Sequence, residues 1–446
     1  MAVRSGSGTA LSERLGSPLT HFLCGRQDTG YLTPREGEGM SDVHLAPLAD
    51  GVASRSVDRR TLLVGVAGTV AAAGLSGPTR AAGQAAPLAA RSRFDPDLAR
   101  ELQQALRAAL RDPGTTAPGA ILHVRSPRLG RWTGVAGLGR LAPDARMRRA
   151  DRFRAGSIAK TFVAVVVLQL AERGRLSLDA RLPEVLPASV VGRFPTAADI
   201  TVRMLLGHRS GIPEWESPAI EEQIVRDPAK VWRVSEFLDL AAAQRPLFAP
   251  GTGFFYSSTN YNLLGLIIER ITGRSWRYAV TRRVIRPLRL TGTDLPAPGH
   301  RSIKGAHAHG YGVFDGKTVD LTRVDPSFAG AAGACALVTT VQDLAQFLDA
   351  LFKGRPFRRR ATLRSMLDLA PAQGEGGLVG YGLGIEQYAL PGGIQLVGHL
   401  GGTAGYRSFV GRVRPLGVTL TLALNAQDDP TPLLIPALEA LAATHR

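Results

Sequence analysis

Ser157 and Lys160 stand three residues apart in RAGSIAKTFVAVVVLQLAERG, at the mouth of an apolar run. A serine hydroxyl is a weak nucleophile at neutral pH and needs a neighbouring base, which a lysine or tyrosine in a charged, buried setting can supply. Of the chain's 5 lysines only Lys160 has a serine three residues before it, and positions i and i+3 share one face of a helix. Tyr256, in APGTGFFYSSTNYNLLG, follows a loop made by Pro250, Gly251 and Gly253. A tyrosine held beside a cationic lysine is drawn toward its phenolate and can take a serine proton. In VGHLGGTAGYRSF, His399-Leu400-Gly401 ends an apolar strand pattern and Gly402 follows. A glycine-rich strand edge lets a substrate backbone approach closely, and a strand N–H there can join the N–H of Ser157 in holding an oxyanion. Taken singly each signal is weak: S-x-x-K arises by chance, and a lone tyrosine or histidine is more often packing or surface.

These residues need elements to position them. Phe162, Val163, Val166, Val167 and Leu170 recur every three to four residues and the pattern stops at Gly174, which predicts a largely buried helix. Ser157 and Lys160 then point the same way from its first turn, where free N–H groups and the positive dipole end favour developing negative charge. A second helix, opened by Asn260, follows the Tyr256 loop. Upstream, DPDLARELQQALRAALRD predicts a helix capped by Asp95 with Leu98, Leu102, Leu106 and Leu110 as its stripe. GAILHVRS and WTGVAGL read as short strands before Ser157. From about Asp179 to Leu369 the chain reads as mostly helical with long loops, in VWRVSEFLDLAAAQ, NYNLLGLIIERITG and TTVQDLAQFLDALFKG. The end alternates strands, GYGLGIEQY, IQLVGHLG, RSFVGRV and VTLTLALNA, and closes on the helix PLLIPALEALAATH. The pattern predicts an α/β fold: an antiparallel sheet flanked by N- and C-terminal helices, with an inserted, mostly α-helical region between.

At 446 residues and 44% hydrophobic, the chain can build a sizeable core as one large or two interleaved domains. The formal charge of +17 invites a nucleic-acid reading. The basic residues are scattered, however, with no run of five or six, and only 5 of 54 are lysine. That bias points to composition rather than a nucleic-acid surface, although a basic surface can steer an anionic substrate. Cys24 and Cys335 give no disulfide framework, and no C-x-x-C, H-E-x-x-H or P-loop motif is present. His307 and His309 in AHAHGYG can share a strand face and ligate a metal, but without a carboxylate cluster they read as a polar loop. Arg59 and Arg60, an uncharged stretch from Thr61 to Thr79 and small residues from Ala81 to Ala86 have the layout of a twin-arginine export signal. Residues 1–86 are therefore expected to be a leader, with Met40 an alternative start, and residues 87–446 an exported domain. The uncharged stretch is too weakly apolar to make a stable membrane span.

Ser157-x-x-Lys160, Tyr256-x-Ser258 and His399-x-Gly401, in this order, resemble the motifs of the serine β-lactamase and penicillin-binding protein superfamily. The flanks LLGHRSGIPEW, AAGACALVTTVQDLAQFL and YGLGI at Tyr381 are similar too. The resemblance runs from Phe94 to Arg446 and is to the class C branch: class C β-lactamases, D-alanyl-D-alanine carboxypeptidases, and related esterases and D-amino-acid amidases. It implies the β-lactamase/transpeptidase fold and two-step acyl transfer through an ester on Ser157. Lys160 would keep the serine proton mobile and Tyr256 would act as general base and acid. Ser258 would hold the third place of a Tyr-x-Asn motif, His399 and Gly401 would match a Lys/His-x-Gly motif, and the N–H groups of Ser157 and Gly402 would bind the oxyanion. Water would be the usual acceptor. No metal or organic cofactor is implied, and the partner is a small-molecule or peptide substrate: a D-alanyl peptide, a β-lactam or an ester.

Two residues depart from the family pattern. Ser258 replaces an asparagine amide that can bond both the lysine and a substrate amide. Glu386 follows YGLGI where carboxypeptidases of this branch can carry an arginine, and it would repel a substrate carboxylate unless Arg407 compensates. The expectation is an exported serine hydrolase, carboxypeptidase-like or β-lactamase-related. The alternatives are an esterase or amidase of the same fold, or a non-catalytic binding domain.

Overall fold

A computed structural model describes residues 94–332 and 335–444. The leader expected at residues 1–86 lies outside them. Helix α1 (Pro96–Ala109) starts where Asp95 accepts hydrogen bonds from the N–H groups of Asp97 (2.7 Å) and Leu98 (2.9 Å). The carboxylate thus satisfies two of the donors that a helix start leaves open. Leu98, Leu102 and Leu106 form its buried face, as the stripe predicts, with Ala109 as the fourth buried residue; Leu110, expected there, is the half-buried cap at the helix end.

Nine strands of the described residues form one antiparallel sheet. They are β1 (Gly119–Ser126), β2 (Gly130–Leu141), β3 (Asp144–Arg146), β4 (Ala370–Gly374), β5 (Leu378–Tyr381), β6 (Glu386–Leu390), β7 (Ile394–Thr403), β8 (Tyr406–Val413) and β9 (Val418–Leu424), in the spatial order β3-β2-β1-β9-β8-β7-β6-β5-β4. Strands far apart in the chain meet at the centre, where β1 pairs with β9 from Ala120 opposite Leu424 to Arg125 opposite Thr419. Side chains alternate across the sheet. Leu122, Leu396, Phe409 and Leu422 enter one core with α1 and the C-terminal helix Thr431–Ala443. Ile121, Val397, Val410 and Ala423 enter the other, built on helix α2 (Ala159–Glu172). All twelve residues from Ala159 to Leu170 are buried, so this helix is surrounded by protein rather than laid on a surface.

The inserted region carries helix α3 (Ser258–Thr272) and helix α4 (Val341–Phe352), whose Phe347 ring stacks on Phe162 of α2 at 3.8 Å between centroids. The insertion is mostly helical, as expected, and also carries a hairpin in which Tyr311–Phe314 pairs with Lys317–Asp320; its turn residues Asp315 and Gly316 both have positive φ, 47° and 72°, as its two-residue turn demands. Two expectations change. Helix α3 opens at Ser258, two residues before Asn260. GYGLGIEQY is two strands rather than one, because Gly384 (φ 80°) turns the chain against α2, where a Cβ would stand 2.4 Å from that of Ala164. Among the described residues no helix is long and apolar enough to cross a membrane.

Candidate active site

Ser157 sits in the tight turn Gly156–Ile158 that feeds α2, and Lys160 occupies the helix's second position. Lys160 Nζ donates to Ser157 Oγ at 2.8 Å, with both residues buried. An ammonium in an apolar core is costly unless partners surround it, and here Nζ also lies 4.9 Å from the centre of the Tyr256 ring and 5.9 Å from that of Tyr261. The turn is pressed onto β7. Gly156 has φ 57°, and a Cβ on it would come within 2.5–2.8 Å of the Gly402 backbone, while one on Gly401 would come within 2.1 Å of the Ala155 carbonyl oxygen. Only glycines permit this approach, and it sets Ser157 beside the strand edge that carries Gly402.

A hydrogen-bonded row of neutral rings backs the site. The N–H of Ser157's distant neighbour Ser257 donates to His208 Nδ1 (3.1 Å), so the His208 proton is assigned to Nε2, which faces Tyr381 Oη at 3.2 Å. Tyr381 Oη in turn lies 3.4 Å from His399 Nε2, whose Nδ1 donates to the Leu400 carbonyl at 2.6 Å. The Tyr256 ring stacks on His208 at 4.3 Å, and the Phe255 N–H bonds the His208 carbonyl (3.0 Å), so His208 grips the chain on both sides of Tyr256. It does so in the left-handed region, φ 56°, a strain of about 1–3 kcal/mol for a non-glycine residue.

Burial pushes His399 down to about 3, with the Lys160 charge acting the same way, and burial followed by the Lys160 charge holds His208 well below its ordinary value. His123 on β1 is pushed down to about 4, chiefly by burial. The unfolded chain binds protons at these histidines near pH 6.5, whereas the folded protein binds them only at much lower pH. Stability is therefore fully present above that pH and is lost as pH falls below it, by about 1.4 kcal/mol per pH unit for each group until its folded value is reached. Urea unfolding followed from about pH 7 to about pH 5 should show a steadily falling midpoint, and a flat profile would contradict neutral burial of the three rings.

Ser258, expected in place of the motif's asparagine, is the first residue of α3. Its N–H donates to Glu214 Oε2 at 2.5 Å and its hydroxyl bonds the same carboxylate, whose Oε1 takes the Trp215 N–H at 2.8 Å. The hydroxyls of Ser257 and Thr259 both donate to the Pro213 carbonyl, at 3.0 and 2.9 Å, stapling this loop to the start of α3. Loss of water around Glu214 raises its pKa, while the Ser258 bonds and the Lys160 charge act against that rise. A carboxylate is thus bonded to the residue that takes the third place of the Tyr256 motif. Glu386, expected to confront a substrate carboxylate, is buried instead. It accepts the hydroxyl of Tyr388 and, at 2.7 Å, the N–H of Leu400, where β7 runs on past the end of β6. Arg407 Nε donates to the Asp428 carbonyl at 3.2 Å. His208, Glu214 and Tyr381 were missed as individual residues, although the segments LLGHRSGIPEW and YGLGI contain them.

The layered sheet and the buried serine–lysine pair define a hydrolase of the serine β-lactamase and penicillin-binding protein fold. The chain belongs to the Beta-lactamase family, whose pattern it matches over residues 59–444. A D-stereospecific amidohydrolase from Streptomyces sp. is similar in structure, with 35% identity and a TM-score of 0.68, covering 75% of this chain and 97% of that one. The D-amino acid amidase of Ochrobactrum anthropi SV3, solved with L-phenylalanine amide, shows 27% identity and a TM-score of 0.67 over 78% of this chain and 100% of its own. Penicillin-binding protein 4 of Amycolatopsis lactamdurans is 32% identical over 204 residues, which span 44% of this chain and 48% of that protein.

Proposed function

We propose that this protein is a serine amidohydrolase that acylates Ser157 with D-amino-acid amides or short peptides bearing a free α-ammonium, and that Glu214 receives the ammonium. The Glu214 carboxylate bonded to Ser258 carries this reading, because a carboxylate held at the third residue of the Tyr256 motif and within the field of Lys160 attracts a cationic substrate end and repels a carboxylate. The names of the Streptomyces and Ochrobactrum proteins supply the amide class and the D-configuration. In the first step Ser157 Oγ attacks the amide carbon and gives its proton to Tyr256, with Lys160 holding the hydroxyl in line. The N–H groups of Ser157 and Gly402 hold the developing oxyanion. Tyr256 then protonates the leaving amine as the C–N bond breaks, and water hydrolyses the ester by the same route reversed.

Glu214→Gln should raise KM for D-phenylalanine amide at least about tenfold while leaving turnover of N-acetyl-D-phenylalanine amide and of a simple ester near the parent value, the scale expected for one lost charge pair. In the parent enzyme, protonation of Glu214 on the acid side should weaken kcat/KM for the free amine earlier than for the ester. Equal effects of the substitution on both substrate types would remove the ammonium reading. Greater turnover of the N-acetylated compound by the parent would point to an esterase or carboxypeptidase instead.

A further inference from the structure

Arg140, Arg146 and Arg148 converge with His307 and His309 on a pocket of about 200 Å3. It forms where the β2–β3 hairpin meets residues 305–309, which are tied in place by the bridge between Arg152 and His307 and by a 2.7 Å bond from the His309 N–H to the Gly139 carbonyl. Each histidine has its Nδ1 engaged, His307 with the Gly305 carbonyl at 2.8 Å and His309 with Asp320 at 2.7 Å. Both Nδ1 atoms therefore act as donors, and Nε2 is the ring atom each histidine offers to a ligand.

The His-x-His spacing suits a metal, but the geometry does not. The two rings are parallel within 5° at 5.3 Å between centroids. An ion bound by both Nε2 lone pairs would have to lie in both ring planes, and separated parallel planes do not meet. Three guanidinium groups around the pocket also repel a cation, and among the described residues no group of three or more His, Cys, Asp or Glu is placed to hold a metal.

We infer that this pocket binds the phosphate group of an anionic ligand. Arg140 Nε is held by the Pro143 carbonyl at 2.8 Å, which fixes its fork, and among the described residues none of the three arginines forms an ion pair with a carboxylate. Three guanidinium forks offer more donors than the two oxygens of a carboxylate can use, whereas a phosphate presents three or four oxygens and up to two charges, and a protonated phosphate oxygen can donate to an Nε2 lone pair. One acid, Asp151, also lines the pocket. Its Oδ2 accepts the Arg148 N–H at 2.8 Å, so one of its oxygens is already engaged within the pocket wall. Gly139 and Gly305 leave the pocket wall without side chains between these groups.

The test is calorimetric titration of the full chain at neutral pH and low salt with inorganic phosphate and, separately, with glycerol 3-phosphate. Saturable one-site binding is expected, weakened at least about tenfold in the double variant Arg146→Ala/Arg148→Ala. The double variant Arg359→Ala/Arg360→Ala, on a separate helix start, should bind like the parent, as should Ser157→Ala, so the result does not depend on the catalytic reading. Equal affinity for the two anions identifies the phosphate group itself as the ligand, and tighter binding of glycerol 3-phosphate identifies a phosphoester. The inference is overturned if the folded parent binds neither anion at about 10 mM, if both arginine pairs weaken binding alike, or if zinc binds there in a manner lost with His307→Ala.

Discussion

Ser157→Ala should abolish acylation by an activated ester, read as the loss of the mass adduct, and should reduce hydrolysis by several orders of magnitude, the scale at which a catalytic unit fails when its nucleophile is removed. The fold should survive. Ser157 Oγ accepts one bond from Lys160 and makes little apolar contact that alanine would lose, so the melting temperature should move by only a few degrees. Lys160 is left without that acceptor, a cost of about 1–3 kcal/mol, set against a domain whose two cores span the whole sheet. An adduct of undiminished yield in this variant would mean that another residue is the nucleophile.

Lys160→Ala should lower the acylation rate by at least about a hundredfold, the usual loss when positioned proton transfer is removed. Stability should follow a different course. Lys160 is 1% exposed within a helix whose first twelve residues are otherwise apolar except for Thr161 and Gln169, and removing a buried charge relieves a desolvation cost of several kcal/mol that its partners only partly offset. Lys160→Met, which keeps the volume, should therefore be as inactive as the alanine variant and at least as stable as the parent in urea. A fall in rate below tenfold, or a loss of activity that tracks a loss of stability, would make Lys160 a structural residue.

The serine–lysine pair was legible because its geometry is local. Two residues three positions apart need no knowledge of the rest of the chain, and the apolar run from Phe162 to Leu170 announces a buried helix. The strands were legible one by one, since VTLTLAL and GAILHVRS are buried on both faces and read as apolar runs. Glu214, His208 and Tyr381 were not, because no periodicity marks them. Their roles arise where the 208–215 loop, the start of α3 and the end of β5 are brought together, and only tertiary contact makes them neighbours. Glu386 was misjudged for the opposite reason: its position in the motif suggested a substrate-facing side chain, and the unpaired N–H of Leu400 claims it. Asp315-Gly316 is a hairpin-turn pair by residue type, but the strands it joins are only four residues each and lie in a region that otherwise reads as helical.

The pairing of β1 with β9 has a consequence for how the protein is made. Ala120 must wait for Leu424, and the turn holding Ser157 must wait for Gly402, so neither half of the reactive centre exists while the chain is still being synthesised. Closing a span of this length costs entropy before any contact repays it. Until β9 has been made and has paired with β1, the sheet that presses Gly402 against the Ser157 turn is incomplete, and a deletion that removes β9 should unmake that contact from far downstream.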